Sequence, residues 1–169
     1  MKVLYLLRHA KSSWDDPQLA DHDRPLAPRG KRAARLLADH FRREGIRPAL
    51  VLCSSARRAR ETLKPLERIF SGKLDVRFES DLYAASAPEV AGRLRSVPAA
   101  APSVLVVGHN PGLQELGLLL ARPGAKREAL AEKFPAGALA VVELDLAGWH
   151  DLTGGSGELT SLILPRELG

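Results

Sequence analysis

The chain has 169 residues, 45% of them apolar and 27% charged, which suits one domain at roughly 150 residues per domain. Its 14 glycines and 12 prolines fall below disordered or collagen-like compositions, and no apolar run approaches the roughly 18 residues of a spanning helix. The run Val3 to Leu7 is cut by Arg8 and is too short for a signal peptide. A single cysteine, Cys53, excludes an internal disulfide and a multi-cysteine zinc site. The expectation is one monomeric, cytoplasmic domain over residues 1–169 that does not engage a membrane.

The net charge of +5 is unevenly spread. Residues Arg24 to Arg68 hold 13 basic and 4 acidic groups, or +9, and the remainder carries 12 − 16 = −4. No aromatic-rich strand or recognition-helix signature accompanies that excess, so no nucleic-acid partner is expected. The basic 24–68 segment instead suggests docking of an acidic partner.

In chain order the pattern alternates. Val3 to Leu7 is a continuous apolar run that reads as a buried parallel strand. Pro28 to Glu44 sets Ala33, Leu37 and Phe41 opposite Arg32, Arg35, Asp39 and Arg43, an amphipathic helix closed by Gly45. Leu50 to Cys53 is a second buried strand. Arg57 to Ile69 is helical in pattern, but Pro65 inside it predicts a kink or an early end. Pro88 to Val97 is a third helix, Val104 to Val107 a third strand, and Pro111 to Leu120 a fourth helix. Leu139 to Leu144 and Leu159 to Leu164 read as further strands. This alternation implies a three-layer α/β/α domain around a mostly parallel, mixed sheet.

In such a sheet, ligands gather beyond the carboxyl ends of the strands. Three segments sit there: Arg8-His9-Ala10-Lys11-Ser12, Ser54 to Thr62, and Gly108-His109-Asn110-Pro111-Gly112. Arginine matches a phosphoryl group because its rigid fork donates paired hydrogen bonds to two oxygens. A neutral histidine can attack phosphorus and pass the group to water. Enough fixed positive charge makes a metal unnecessary, and the chain offers no HExxH, no clustered carboxylates and no Walker loop. No cofactor and no metal are therefore expected.

With these residues in view, the chain resembles the histidine phosphatase superfamily, also called phosphoglycerate mutase-like, and within it the SixA-type phosphohistidine phosphatases. The likeness rests on five segments in order: Leu7 to Trp14; Asp21 to Leu26 with Arg29-Gly30; Ser54 to Thr62; Gly108 to Pro111; and Phe134-Pro135-Ala136-Gly137. It implies the phosphoglycerate mutase-like fold, His9 as nucleophile, and Arg8, Arg58 and His109 as the phosphate pocket. Lys11 and Ser12 are candidate further phosphate contacts. Arg58 is preferred over Arg57 and Arg60 because it occupies the arginine of the family's Ser-x-x-x-Arg-Ala-x-x-Thr pattern.

Two departures stand out. The common Arg-His-Gly is Arg-His-Ala here, which requires Ala10 to avoid positive φ. Many members also carry a general-acid Glu soon after a Leu-Tyr pair, whereas Leu82-Tyr83 is followed by Ala84, Ala85 and Ser86. An alkoxide leaving group needs that proton; the imidazole of phosphohistidine, on a labile P–N bond, needs less help. The missing acid favours a phosphohistidine-bearing phosphotransfer protein as substrate, with inorganic phosphate as product. Asp81, Asp23 and Glu89 are the carboxylates that could substitute. The alternatives are a phosphatase for a small phosphomonoester and a non-catalytic phosphate-binding module. His22, Asp23 and Trp14 read as a surface loop, and Arg24 and Arg29-Gly30 as architectural.

Overall fold

A computed structural model describes residues Met1–Gly169. The strands are β1 (Lys2–Arg8), β2 (Leu50–Ser54), β3 (Val76–Glu79), β4 (Ser103–Gly108), β5 (Leu139–Leu144) and β6 (Gly157–Ile163). The helices are α1 (Pro28–Arg43), α2 (Arg57–Ile69), α3 (Ala87–Arg95), α4 (Gly112–Leu120) and α5 (Ala125–Glu132). All six strands form one sheet in the order β3-β2-β4-β1-β5-β6. The pairs β2 with β3, β2 with β4 and β1 with β4 are parallel, while β5 runs antiparallel to β1 and β6. The expected mixed, mostly parallel sheet between two helical layers is what forms.

The apolar runs are continuous because both faces of the sheet are covered. On one face Leu7, Val51, Cys53, Leu105 and Val107 meet Leu37 and Phe41 of α1 and Ala59, Leu63 and Leu66 of α2. On the other, Leu4, Leu6, Leu52, Val104 and Val106 meet residues of α3 and α4 such as Val90, Leu94, Leu113 and Leu116. Strict alternation along each strand divides the two cores. Helix α1 ends where expected: Gly45 adopts φ +65°, Ile46 N–H donates to Phe41 O and Gly45 N–H to Arg42 O, closing the last turn.

Helix α2 does not end early at Pro65 but runs through it to Ile69 as one element. A proline inside a helix costs about 3 kcal/mol. Leu63 and Leu66 flank it and are buried, each contributing roughly 1.5–3 kcal/mol, so packing outweighs the lost hydrogen bond. Two elements carry no clear signal in the chain. Edge strand β3 has no fully buried residue, and α5 buries only Leu130, so neither shows the periodicity that marks the others. No helix is long and apolar enough to cross a membrane.

Candidate active site

Strand register assembles the site. Arg8 of β1 pairs with Gly108 of β4, so the next residues, His9 and His109, emerge side by side with ring centroids 5.1 Å apart. On the opposite flank of β4, Cys53 of β2 pairs with Val107, which puts Ser54 beside the same rim. Its Oγ lies 2.7 Å from His109 Nε2. The chain then turns into α2, whose first turn delivers Arg58. The resulting pocket, about 370 Å³, is lined by Arg8, His9, Asp21, Arg58, Tyr83 and His109, with Ala84, Ala85, Asn110 and Pro111 completing the wall.

Hydrogen bonds set the tautomer of each histidine. His9 Nδ1 lies 2.8 Å from Ala10 O; a carbonyl only accepts, so Nδ1 carries the proton and the Nε2 lone pair is free. Ser54 is fully buried and its Oγ already accepts from Ala56 N–H at 3.2 Å. Its own O–H therefore needs an acceptor, and His109 Nε2 is that acceptor, leaving the proton of His109 on Nδ1. Burial, reinforced for His9 by Arg58 and Arg8, pushes its pKa down to about 4. His109 falls to about 3, again chiefly through burial, with the neighbouring His9 and Arg58 adding to it. Both rings are neutral at pH 7.

The arginines are anchored from behind. Arg8 Nη1 donates to Phe134 O at 2.9 Å, which accounts for the Phe-Pro-Ala-Gly segment: Gly137 turns at φ +82° and returns its N–H to His9 O and Arg8 O. Arg58 Nη1 donates to Asp21 O at 2.7 Å and Nη2 to Asp21 Oδ2 at 3.0 Å. The Nε atoms of Arg8 and Arg58 are buried without a partner. A buried donor left so costs about 1–3 kcal/mol, which the bonds of the same guanidinium groups to Phe134 O and Asp21 help to offset. Thr62 explains the end of the Ser-x-x-x-Arg-Ala-x-x-Thr pattern. Its Oγ1 donates to Arg58 O and accepts from Ala10 N–H, tying α2 to the turn that carries His9. Ala10 has negative φ, since Ser71 alone among non-glycine residues is positive.

The pocket holds two residues that the sequence reading left out. Asp21 accepts from Tyr83 Oη, Arg24 and Arg58, and these contacts, Tyr83 first, hold its carboxyl well below the usual carboxylate range. Tyr83 stands edge-on to His109, with ring centroids 5.5 Å apart, and to His22. His22, expected on an ordinary surface loop, is half-buried and bonds Ser55 Oγ at 2.9 Å. The place of Asp21 at the head of the Asp21 to Leu26 segment is the signal the sequence carries, but nothing local shows that this loop folds back over Arg58.

Other candidate residues lie outside the pocket lining. Lys11 points into a different cleft, beside Arg29 and Arg32. Ser12 accepts from Arg24 Nη2 at 2.5 Å, which braces the loop after β1 rather than the pocket. Asp81 and Glu89 line a separate depression, where Glu89 caps α3 through Ser86. Asp23 is exposed and meets His22 Nδ1 at 3.7 Å. None of the three lines the pocket.

Fold and pocket together set two histidines and two arginines around one cavity at the carboxyl ends of the central strands of an α/β sheet. The model of the histidine phosphatase superfamily (branch 1) matches residues 4–142. A protein of Mycobacterium tuberculosis with no assigned function is 39% identical over 166 residues, covering 95% of this chain and all of that one. Among solved structures, a protein of Nakamurella multipartitia provisionally named phosphohistidine phosphatase SixA is 34% identical with a TM-score of 0.81, over 97% of this chain and 96% of its own. One from Agrobacterium tumefaciens under the same provisional name is 30% identical with a TM-score of 0.80, over 97% and 98%. The chain belongs to the histidine phosphatase superfamily, is of the SixA type, and is a phosphatase of that family.

Proposed function

We propose that the protein hydrolyses phosphohistidine on a phosphotransfer protein through a phosphohistidine of its own. His9 Nε2 attacks phosphorus in line, the P–N bond to the substrate imidazole breaks, and that imidazole leaves with a proton from solvent. Arg8, Arg58 and the Nδ1–H of His109 hold the three equatorial oxygens. Water then attacks the phosphorus on His9, the P–Nε2 bond breaks with its electron pair returning to Nε2, and the water's proton passes to solvent as inorganic phosphate leaves, replacing the one taken by the substrate imidazole. Nδ1–H to Ala10 O keeps the ring oriented through both steps. The fixed cations carry the charge that a metal would otherwise neutralise.

One observation carries the choice of substrate. The single carboxylate in the pocket lining is Asp21, and Tyr83, Arg24 and Arg58 keep it ionised, so it has no proton to give an alkoxide. A phosphoimidazole is the phosphoryl donor that tolerates this. The test is phosphate release, with EDTA present, from a phosphohistidine carrier domain and from an alkyl phosphate ester such as a sugar phosphate, whose alkoxide needs a proton to leave, with His9→Ala as control. Fast release from the carrier and slow release from the ester supports the proposal; the opposite preference overturns it in favour of a small phosphomonoester.

A further inference from the structure

Beyond the catalytic pocket, a cleft of about 800 Å³ opens between the start of α1 and the chain after β6. Six cationic side chains line it: Arg8, Lys11, Arg29, Arg32, Lys133 and Arg166. They arrive from four separate places, the end of β1 and its loop, α1, the segment after α5, and the turn after β6. No acidic residue lines the cleft, and none of the six takes part in a salt bridge. The carboxylate of Gly169 also borders the cleft, beside Arg32; six cations against that one anion leave the concavity strongly positive, which attracts an anionic occupant. Arg8 borders both this cleft and the phosphoryl pocket, so whatever fills the cleft lies directly beside the reacting group.

The lining also favours one kind of occupant. Between the charges lie half-buried Leu36, Leu164 and Pro135, which suit a polypeptide carrying acidic and apolar side chains together. No aromatic residue lines the cleft, so it has no platform on which nucleic-acid bases could stack. Resting on the substrate reading above, we propose that this cleft docks an acidic surface of the phosphoprotein whose phosphohistidine enters the adjacent pocket. The cations then govern encounter and KM, while His9 and its neighbours govern turnover.

The test separates docking from chemistry. Binding of a fluorescein-labelled Asp/Glu-rich peptide with interspersed leucines is followed by anisotropy, at about 20 mM and about 200 mM salt. The variant Arg32→Glu/Lys133→Glu/Arg166→Glu alters three exposed cleft residues. Its control, Arg35→Glu/Arg43→Glu/Arg68→Glu, makes the same net change at exposed sites outside the cleft. The cleft variant is expected to bind the peptide at least about tenfold more weakly than the control and to raise KM for a phosphohistidine carrier similarly. Its kcat, and its kcat/KM for p-nitrophenyl phosphate, should match those of the control. Equal peptide binding and equal KM in the two variants overturns the docking site while leaving the phosphatase reading intact. Tighter binding of a random-sequence DNA duplex than of the peptide overturns it in favour of nucleic acid. Peptide binding lost only in the cleft variant, with no phosphate released from the carrier by the wild type, overturns the substrate reading and the docking of that substrate together.

Discussion

Burial keeps His9 and His109 neutral, and that neutrality makes the protein acid-sensitive. In the unfolded chain His9 and His109 titrate at the ordinary value of 6.5; in the folded protein they resist protonation until about pH 4 and about pH 3. Between those limits the unfolded state binds more protons than the folded one. The stabilisation is therefore fully present above pH 6.5 and is lost as the pH falls towards 4. At pH 5 the loss for His9 is about 2 kcal/mol, and His109, partly open to the pocket, is discounted to about 1 kcal/mol. About 3 kcal/mol is a large share of a total near 5–15 kcal/mol. The assay is urea unfolding at pH 7 and pH 5 for the wild type and for His9→Gln/His109→Gln. Asp21, whose carboxyl is depressed from 3.8, titrates only below this window, so the comparison isolates the histidines. Wild type should lose about 3 kcal/mol more than the double variant. Parallel losses in both proteins would refute the claim that burial keeps these rings neutral.

Three further outcomes follow from the same geometry. Ser54→Ala removes the donor that fixes the His109 tautomer; kcat should fall roughly 10- to 100-fold, by analogy with losing one transition-state donor, and the ¹⁵N shifts of His109 should show the proton redistributed between its ring nitrogens. Thr62→Val preserves shape but leaves the Ala10 N–H without its acceptor, so unfolding in urea should show a loss of about 1–3 kcal/mol. Gly30→Ala would place a Cβ 2.1 Å from Lys11 O, a backbone clash that should cost about 1–3 kcal/mol and lower the melting temperature, with turnover falling as the loop after β1 shifts.

Much of the fold follows from local pattern. The runs at Val3, Leu50 and Val104 could bury both faces only as central strands, and the four-residue spacing of Ala33, Leu37 and Phe41 allowed only an amphipathic helix. His9 and His109 were legible because each follows such a strand, whereas Arg58 was separated from Arg57 and Arg60 only by its place in the family's Ser-x-x-x-Arg-Ala-x-x-Thr pattern. The strand β3 and helix α5 were not legible, because an edge strand and a peripheral helix bury too little to impose a period. The early end that Pro65 suggested does not occur, for the opposite reason: the burial of Leu63 and Leu66 outweighs the local backbone cost. What tertiary structure alone decided is the company each residue keeps. Asp21 and Tyr83 are 62 positions apart yet meet over Arg58, and Lys11, two residues from His9, turns away into the cationic cleft. Spacing along a chain reports which face of an element is buried; it carries no record of which distant loop closes over that face, because that choice is made by the packing of the whole sheet.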